Sequence, residues 1–250
     1  MKKKVVHDMK RKTNKQKWLM GQTWNDLLFA HYPVPAEELR PLIPDCLTLD
    51  TFEGQAWVSV VPFEMSHIYF RGLSLFTYKR RFAELNVRTY VTFNGEAGIY
   101  FFSLDANSPL AVKLANFSYA LPYLHADMSV VHAENRIHFK SRRTDTRAPF
   151  GDFDGVYGAD GDSFKTVKGS LEYWLTERYV LFVLKGRKIL KGAIYHDQWT
   201  LQPAYAEFNI NRVAESAGIL LPDQPELLHF AKQLKVQVWP PEQVGIFDRE

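Results

Sequence analysis

The 250 residues are 46% hydrophobic, which suits a soluble globular protein with a substantial core, as one large domain or two small ones. The net charge of +3 is local: residues 1–17 hold eight Lys or Arg against one Asp, whereas the rest of the chain has 23 basic and 27 acidic residues, so no nucleic-acid partner is expected. The sole cysteine, Cys46, excludes an internal disulfide, and the lack of any run of 18 apolar residues or of a signal-like segment makes a membrane unexpected and the cytoplasm the default location.

Residues 1–17 read as a basic flexible tail and 18–250 as a single domain. VPAEELRPLIP predicts a short helix, with Pro35 in an early position and Pro41 and Pro44 limiting its length. QAWVSVVPFEM predicts a strand over about residues 56–64, in which Pro62 marks an edge or a bulge. FAELNVRTYVTF and AGIYFFSL flank Asn94–Gly95 and predict a hairpin. Ser108–Pro109 opens a predicted helix through LAVKLANFSYA, which Leu121–Pro122 ends. ADMSVVH and RIHFKSRR read as a further antiparallel pair, followed by APFGDFDGVYGADGD, whose glycines and aspartates read as a solvated, turn-rich loop. Ser170 caps a short helix in LEYWLTE; RYVLFVL and ILKGAIY are strands around a Lys185–Gly186 turn; INRVAESAG is a short helix stopped by Gly218; HFAKQLKVQVWP is the last strand. The fold class is therefore mainly β with short helices (α+β).

The sequence lacks the phosphate-loop, dinucleotide, zinc-peptidase and nucleophile-elbow patterns. His132 and His138 lie on neighbouring strands and can approach each other, but two imidazoles do not define a metal site, and no metal or cofactor is expected. The informative stretch is FAELNVRTYV: alternation puts Glu84, Asn86 and Arg88 on one face and Leu85, Val87 and Thr89 on the other. That polar face belongs either to a solvated strand or to a pocket, and in a pocket its charges must be paired or hydrogen-bonded. Residue pattern alone leaves both open.

The segments QTWNDLLFAHYPVPAEELRPLIPDCLTLDTFEGQAWVSVVPFEM, Arg71–Gly72–Leu73, FAELNVRTYV, YFFSLDANSPLAVKLANFSYALPYLHADM, HFKSRR, LTERYVLF and His196 through Trp199 to Leu201 and Ala204 resemble, in order and spacing, the DUF2071 family. That family is similar to acetoacetate decarboxylase, and the resemblance implies a curved, mostly antiparallel β structure closed around a central cavity. The decarboxylase uses a lysine amine, activated in an apolar and cationic pocket, to form a Schiff base with a keto group. In this chain Tyr123 and Leu124, which follow Pro122, stand where the two lysines would be, and neither forms a Schiff base. Lys113 reads as a solvated helix residue.

The resemblance implies an inward Glu84 as general acid or base, Arg88 as a bidentate carboxylate contact, Asn86 orienting a carbonyl and Tyr123 capping the cavity or donating its hydroxyl. Arg71 would close the entrance and Arg142 or Arg143 would reach the same pocket. Glu177 and Arg178 would form a structural ion pair, and His196 and Trp199 would brace the far wall. Three functions follow as expectations. The first is a small-molecule binder for an organic acid or aromatic metabolite. The second is an enzyme acting on a keto acid through Glu84. The third is a structural or partner-binding protein with a filled interior. Self-association is left open.

Overall fold

The computed structural model describes residues 17–73, 77–108 and 121–247. The helix expected from Ser108–Pro109 onward, with Lys113, falls at 109–120, outside the described residues, as does the basic tail up to residue 16. The described strands are β1 (Met20–Val34), β2 (Thr48–Leu49), β3 (Ala56–Phe70), β4 (Phe82–Phe93), β5 (Glu96–Ala106), β6 (Tyr123–Ala133), β7 (Arg136–Arg143), β8 (Asp152–Ala159), β9 (Val180–Lys185), β10 (Lys188–Tyr195), β11 (Gln202–Asn211), β12 (Leu227–Val238) and β13 (Glu242–Ile246). Among the described residues, two short α-helices, α1 (Ala36–Leu39) and α2 (Leu171–Thr176), and 3-10 turns at Arg40–Leu42 and Glu215–Ala217 accompany them.

Strand pairing closes the sheet into a β-barrel structure by two routes. One circuit runs β5–β6–β7–β8–β11–β12–β1–β3–β4 and back to β5; the other leaves β5 through β9 and β10 and rejoins at β12. Closure removes most exposed edges. Because β12, β1, β3, β4 and β5 belong to both circuits, this shared wall has an interior on each side. One interior is filled: Leu28, Tyr32, Val60, Leu85 and Val87 pack against Phe139, Phe153, Tyr157 and Phe230. The other holds a cavity. β4 is buried on both faces from Phe82 to Val91, so its polar residues do not face solvent.

Two left-handed residues shape the shared wall. β1 and β3 pair at Asn25↔Glu64 and resume at Ala30↔Val60, so four residues of β1 face three of β3. Asp26, at φ 55°, sits in this bulge, and Pro62 lies opposite it, where no ladder bond to β1 is needed. The bulge resets the alternation, so Trp24, Leu27 and Phe29 all line the cavity. His67, at φ 50°, does the same in β3, where Met65 is followed on the cavity side by Ile68 and Phe70.

Several expectations change. The turn-rich insert contains β8, with Phe153, Gly155 and Tyr157 buried in alternation. Glycine serves close approach there: a Cβ on Gly158 would lie 2.2 Å from the Asn135 carbonyl oxygen. INRVAESAG is the end of β11 and a single 3-10 turn, stopped by Gly218 at φ 79°. β13 follows the strand expected to be last. Ser170 caps α2 as expected, accepting from the Tyr173 amide.

Candidate functional site

The cavity has a volume of about 300 Å³; among its lining residues only Phe70 is exposed, with half-buried Leu19, Met20 and Ile68 near it, which marks this end as the rim. Its wall is largely apolar, with Trp24, Phe29, Phe63, Phe82, Phe101 and Trp199 among the aromatic contributors. Into this space β4 projects Glu84, Asn86 and Arg88 in a row, as the period of two requires.

Glu84 is 3% exposed. Tyr123, at the start of β6, donates its hydroxyl to Glu84 Oε2 at 2.8 Å. The parallel pairing of β5 with β6 places Tyr123 beside Leu104, near Ala106, which pairs with Glu84. Burial pushes the Glu84 carboxyl up to about 8, against the pull of hydrogen bonds from Tyr123 and Asn86. Burial, reinforced by Glu84, raises the Tyr123 hydroxyl well above the ordinary phenol range. At pH 7 the pair is neutral, holds a proton deep in an apolar space and can lend it to an oxygen of a bound molecule.

Arg88 is 8% exposed and lies over the Phe29 ring, 5.3 Å from its centroid. Its Nη2 makes a long, weak contact with the Leu175 carbonyl at 3.4 Å, and its Nε has no partner. No carboxylate pairs with it among the described residues. Behind Arg88, Ser59 Oγ bridges Tyr90 Oη at 2.6 Å and His31 Nδ1 at 2.7 Å. Burial holds His31 well below the usual imidazole range, with the charges of His229 and Arg88 adding to the effect, so His31 adds no second positive charge beside Arg88.

Arg178 also lines the cavity, but Asp50 compensates it at 2.8 Å and Trp174 packs against it, 4.4 Å from ring centroid to guanidinium. His196 is set by its Nδ1 contact with the Asp197 carbonyl at 2.7 Å. A carbonyl only accepts, so Nδ1 carries the hydrogen and Nε2 is an acceptor. Burial lowers its pKa to about 4, leaving it neutral at pH 7. Trp199 is fixed by its own indole N–H, which donates to the Thr176 carbonyl at 3.0 Å.

The structure thus brings Glu84, Asn86, Arg88, Tyr123, His196 and Trp199 to one cavity and leaves two expected residues outside it. Arg71 is exposed just after β3, stacked over Trp18 at 5.5 Å. Arg142 is exposed on β7, 3.6 Å from Asp127. The strand alternation that turns Arg142 outward turns Arg143 inward, but to a bidentate pair with Asp105 at 3.0 and 2.9 Å instead of to the cavity. The expected Glu177–Arg178 pair is also corrected. Glu177 binds the Tyr179 hydroxyl and the Trp199 amide, while Arg178 reaches Asp50. His132 and His138 diverge: His132 bonds Glu64 and His138 bonds Asp154, each at 2.7 Å. Asp26, Glu64 and His132 come close enough to suggest a cation site, but Arg81 and Lys232 already neutralise these carboxylates.

Sequence reasoning missed Arg178 as a cavity residue, because its neighbour Glu177 looked like its partner. The aromatic wall from β1 was also missed, since the bulge at Asp26 hides its period.

Comparison with known proteins supports the fold. The Legionella pneumophila acetoacetate decarboxylase has 12% identity, with a TM-score of 0.63 over 91% of this chain and 88% of that one. The enduracididine biosynthesis enzyme MppR, solved in complex with pyruvate, has 9% identity and a TM-score of 0.62 over 92% and 91%. At such identity the likeness shows the acetoacetate decarboxylase-like fold alone. In sequence the chain is 45% identical to the uncharacterized protein YqjF of Bacillus subtilis (strain 168), covering 89% of this chain and 91% of YqjF. A family model described as an uncharacterized conserved protein, DUF2071, matches residues 21–235. The chain belongs to the DUF2071 family.

Proposed function

We propose that this chain binds a small organic acid in the β4 cavity, with the ligand's carboxylate on Arg88. The supporting observation is a buried guanidinium that has an unused Nε–H and no carboxylate partner among the described residues. An uncompensated buried charge is strongly unfavourable, and a bidentate carboxylate is the group whose geometry best relieves it. Pyruvate in MppR is consistent with an acid as ligand in this fold. The family resemblance puts Tyr123 and Leu124 where the two decarboxylase lysines would be, and no lysine lines the cavity among the described residues, so this reading includes no imine chemistry. Mass spectrometry of small molecules extracted from gently purified wild type and Arg88→Met protein tests it. An acid enriched with wild type and lost with the variant supports the assignment. An acid retained equally by both, or only neutral molecules, contradicts it.

A second reading is favoured by Glu84 alone. A carboxyl whose pKa lies near 8, beside a tyrosine hydroxyl, is suited to move a proton to or from carbon next to a carbonyl. In D2O the protein would then exchange the methyl protons of pyruvate, seen by NMR, and Glu84→Gln would abolish the exchange. No exchange above buffer leaves binding as the whole function.

A further inference from the structure

We infer that the cavity takes a monocarboxylate with an extended apolar body, inserted carboxylate first, in preference to a short keto acid. This rests on Arg88 carrying the ligand's charge, as proposed above.

Charge sets the number of carboxylates. The ionisable lining residues among those described are Glu84, Arg88, Tyr123, Arg178 and His196. Asp50 offsets Arg178. Glu84, Tyr123 and His196 are neutral at pH 7 for the reasons of burial given above. One positive charge remains. A monoanion cancels it, whereas a dianion leaves a charge against apolar walls.

Depth sets the orientation. Arg88 lies opposite Ser59, which is fully buried, and beyond it comes the fully buried Tyr90. In the other direction β4 passes Asn86 and Glu84 to Phe82, which pairs with Met65; beyond Met65 the wall reaches Ile68 and the 41% exposed Phe70. Phe82 lies six positions from Arg88, about 20 Å of strand. The charge-binding group is therefore at the floor, and past Asn86 and the neutral Glu84 apolar residues lead to the rim. A ligand entering in the reverse sense would leave its carboxylate among Met65, Ile68 and Phe70 and its body against a guanidinium.

Volume and spacing set the body. An apolar cavity of about 150 Å³ accommodates a benzene molecule; this one has about twice that space. A three- or four-carbon keto acid would leave much of it unfilled, and the aromatic wall would forgo contacts. Phe82, beside Met65, is six positions from Arg88, about 20 Å along the strand, so a molecule as short as pyruvate held at Arg88 leaves the rim-side apolar wall uncovered.

Titration calorimetry of the full chain with butanoate, hexanoate, octanoate, pyruvate and adipate tests the inference. Affinity should rise about four-fold per added methylene from butanoate to octanoate, the equivalent of ~0.8 kcal/mol for each buried methylene. Pyruvate should bind at least fifty-fold more weakly than octanoate, and adipate at least ten-fold more weakly than hexanoate. Arg88→Met should remove octanoate binding. Met65→Trp, which narrows the path to the rim without touching the floor, should weaken octanoate at least ten-fold and leave butanoate within two-fold. If pyruvate binds as tightly as octanoate and both depend on Arg88, the extended body is refuted while the organic-acid reading stands. If Met65→Trp weakens both chain lengths equally, the head-first orientation is refuted. If octanoate binds wild type and Arg88→Met alike, or no acid binds wild type, the inference and the organic-acid reading fall together.

Discussion

Arg143 and Arg88 are buried to nearly the same degree, 7% and 8% exposed, but their surroundings differ in the one respect that matters for a charge. Arg143 meets both oxygens of Asp105 and donates to the Pro149 carbonyl at 2.9 Å, so each of its three guanidinium nitrogens serves the fold. A Cβ on Gly151 would come within 2.8 Å of the guanidinium, which shows how closely the chain wraps it. Arg88 stands in a cavity with one long contact and an unused donor. A buried ion pair without space around it is an element of structure. A buried ion without a counterion among the described residues, facing space, is the feature on which the proposed acid site rests. The same distinction separates the two interiors flanking the shared wall, one packed with Phe139, Phe153 and Tyr157, the other hollow.

The largest expected effect lies on the structural side. Asp105→Asn would leave the Arg143 guanidinium buried without a countercharge and should destabilise the fold by about 3–5 kcal/mol. The check is a urea midpoint at unchanged m-value. A loss below ~1 kcal/mol would erase the contrast between the two arginines.

Glu84 comes next, through pH. Its folded pKa of about 8 stands above the ordinary value of 4.5. The folded state therefore holds a proton that the unfolded state has released, and stability falls as pH rises through this window. Between pH 5.5 and 7.5 the wild type should lose about 2–3 kcal/mol from this group. Asp105, raised to about 6 by burial, adds a smaller loss at the acidic end. Glu84→Gln should remove the first part, visible as a flatter plot of unfolding free energy against pH. Equal slopes would place the Glu84 proton elsewhere.

Arg88→Met is expected to leave stability within about 1 kcal/mol of wild type or to raise it, since removing an uncompensated buried cation relieves a penalty. Thermal denaturation without ligand measures this, and a loss of several kcal/mol would show that Arg88 has a structural role like that of Arg143. The smallest effect is at Arg142, whose partner is an exposed Asp127. Arg142→Ala should change stability by less than about 0.5 kcal/mol and leave acid binding untouched.

Much of this was legible in the sequence where a single period persists. FAELNVRTYV keeps its alternation throughout, so its two faces could be read, and the family resemblance pointed the polar one inward. The hairpin at Asn94–Gly95 is explicit in turn chemistry, and Asn94 and Gly95 take φ of 50° and 77°. The bulged β1 could not be read this way, because Asp26 shifts Trp24 and Leu27 onto the same side. Nor could β8, whose glycines signal turns in isolation but fit tight contacts with Asn135 and Phe208 in the sheet. Arg71 and Arg142 were expected at the pocket from the family resemblance, which does not fix which side of the wall a given side chain takes. Which guanidinium lacks a partner depends on long-range contacts such as Asp50–Arg178 and Asp105–Arg143, and no local pattern contains that information.

The central claim is that Arg88 holds a carboxylate, and the most direct measurement compares a carboxylate with its neutral amide. Hexanoate and hexanamide share an apolar body, so any difference between them reports the head group. Binding followed through the fluorescence of the cavity residues Trp24 and Trp199 should be at least fifty-fold tighter for hexanoate in wild type and indistinguishable between the two in Arg88→Met. Equal affinity of acid and amide for the wild-type protein would contradict the account.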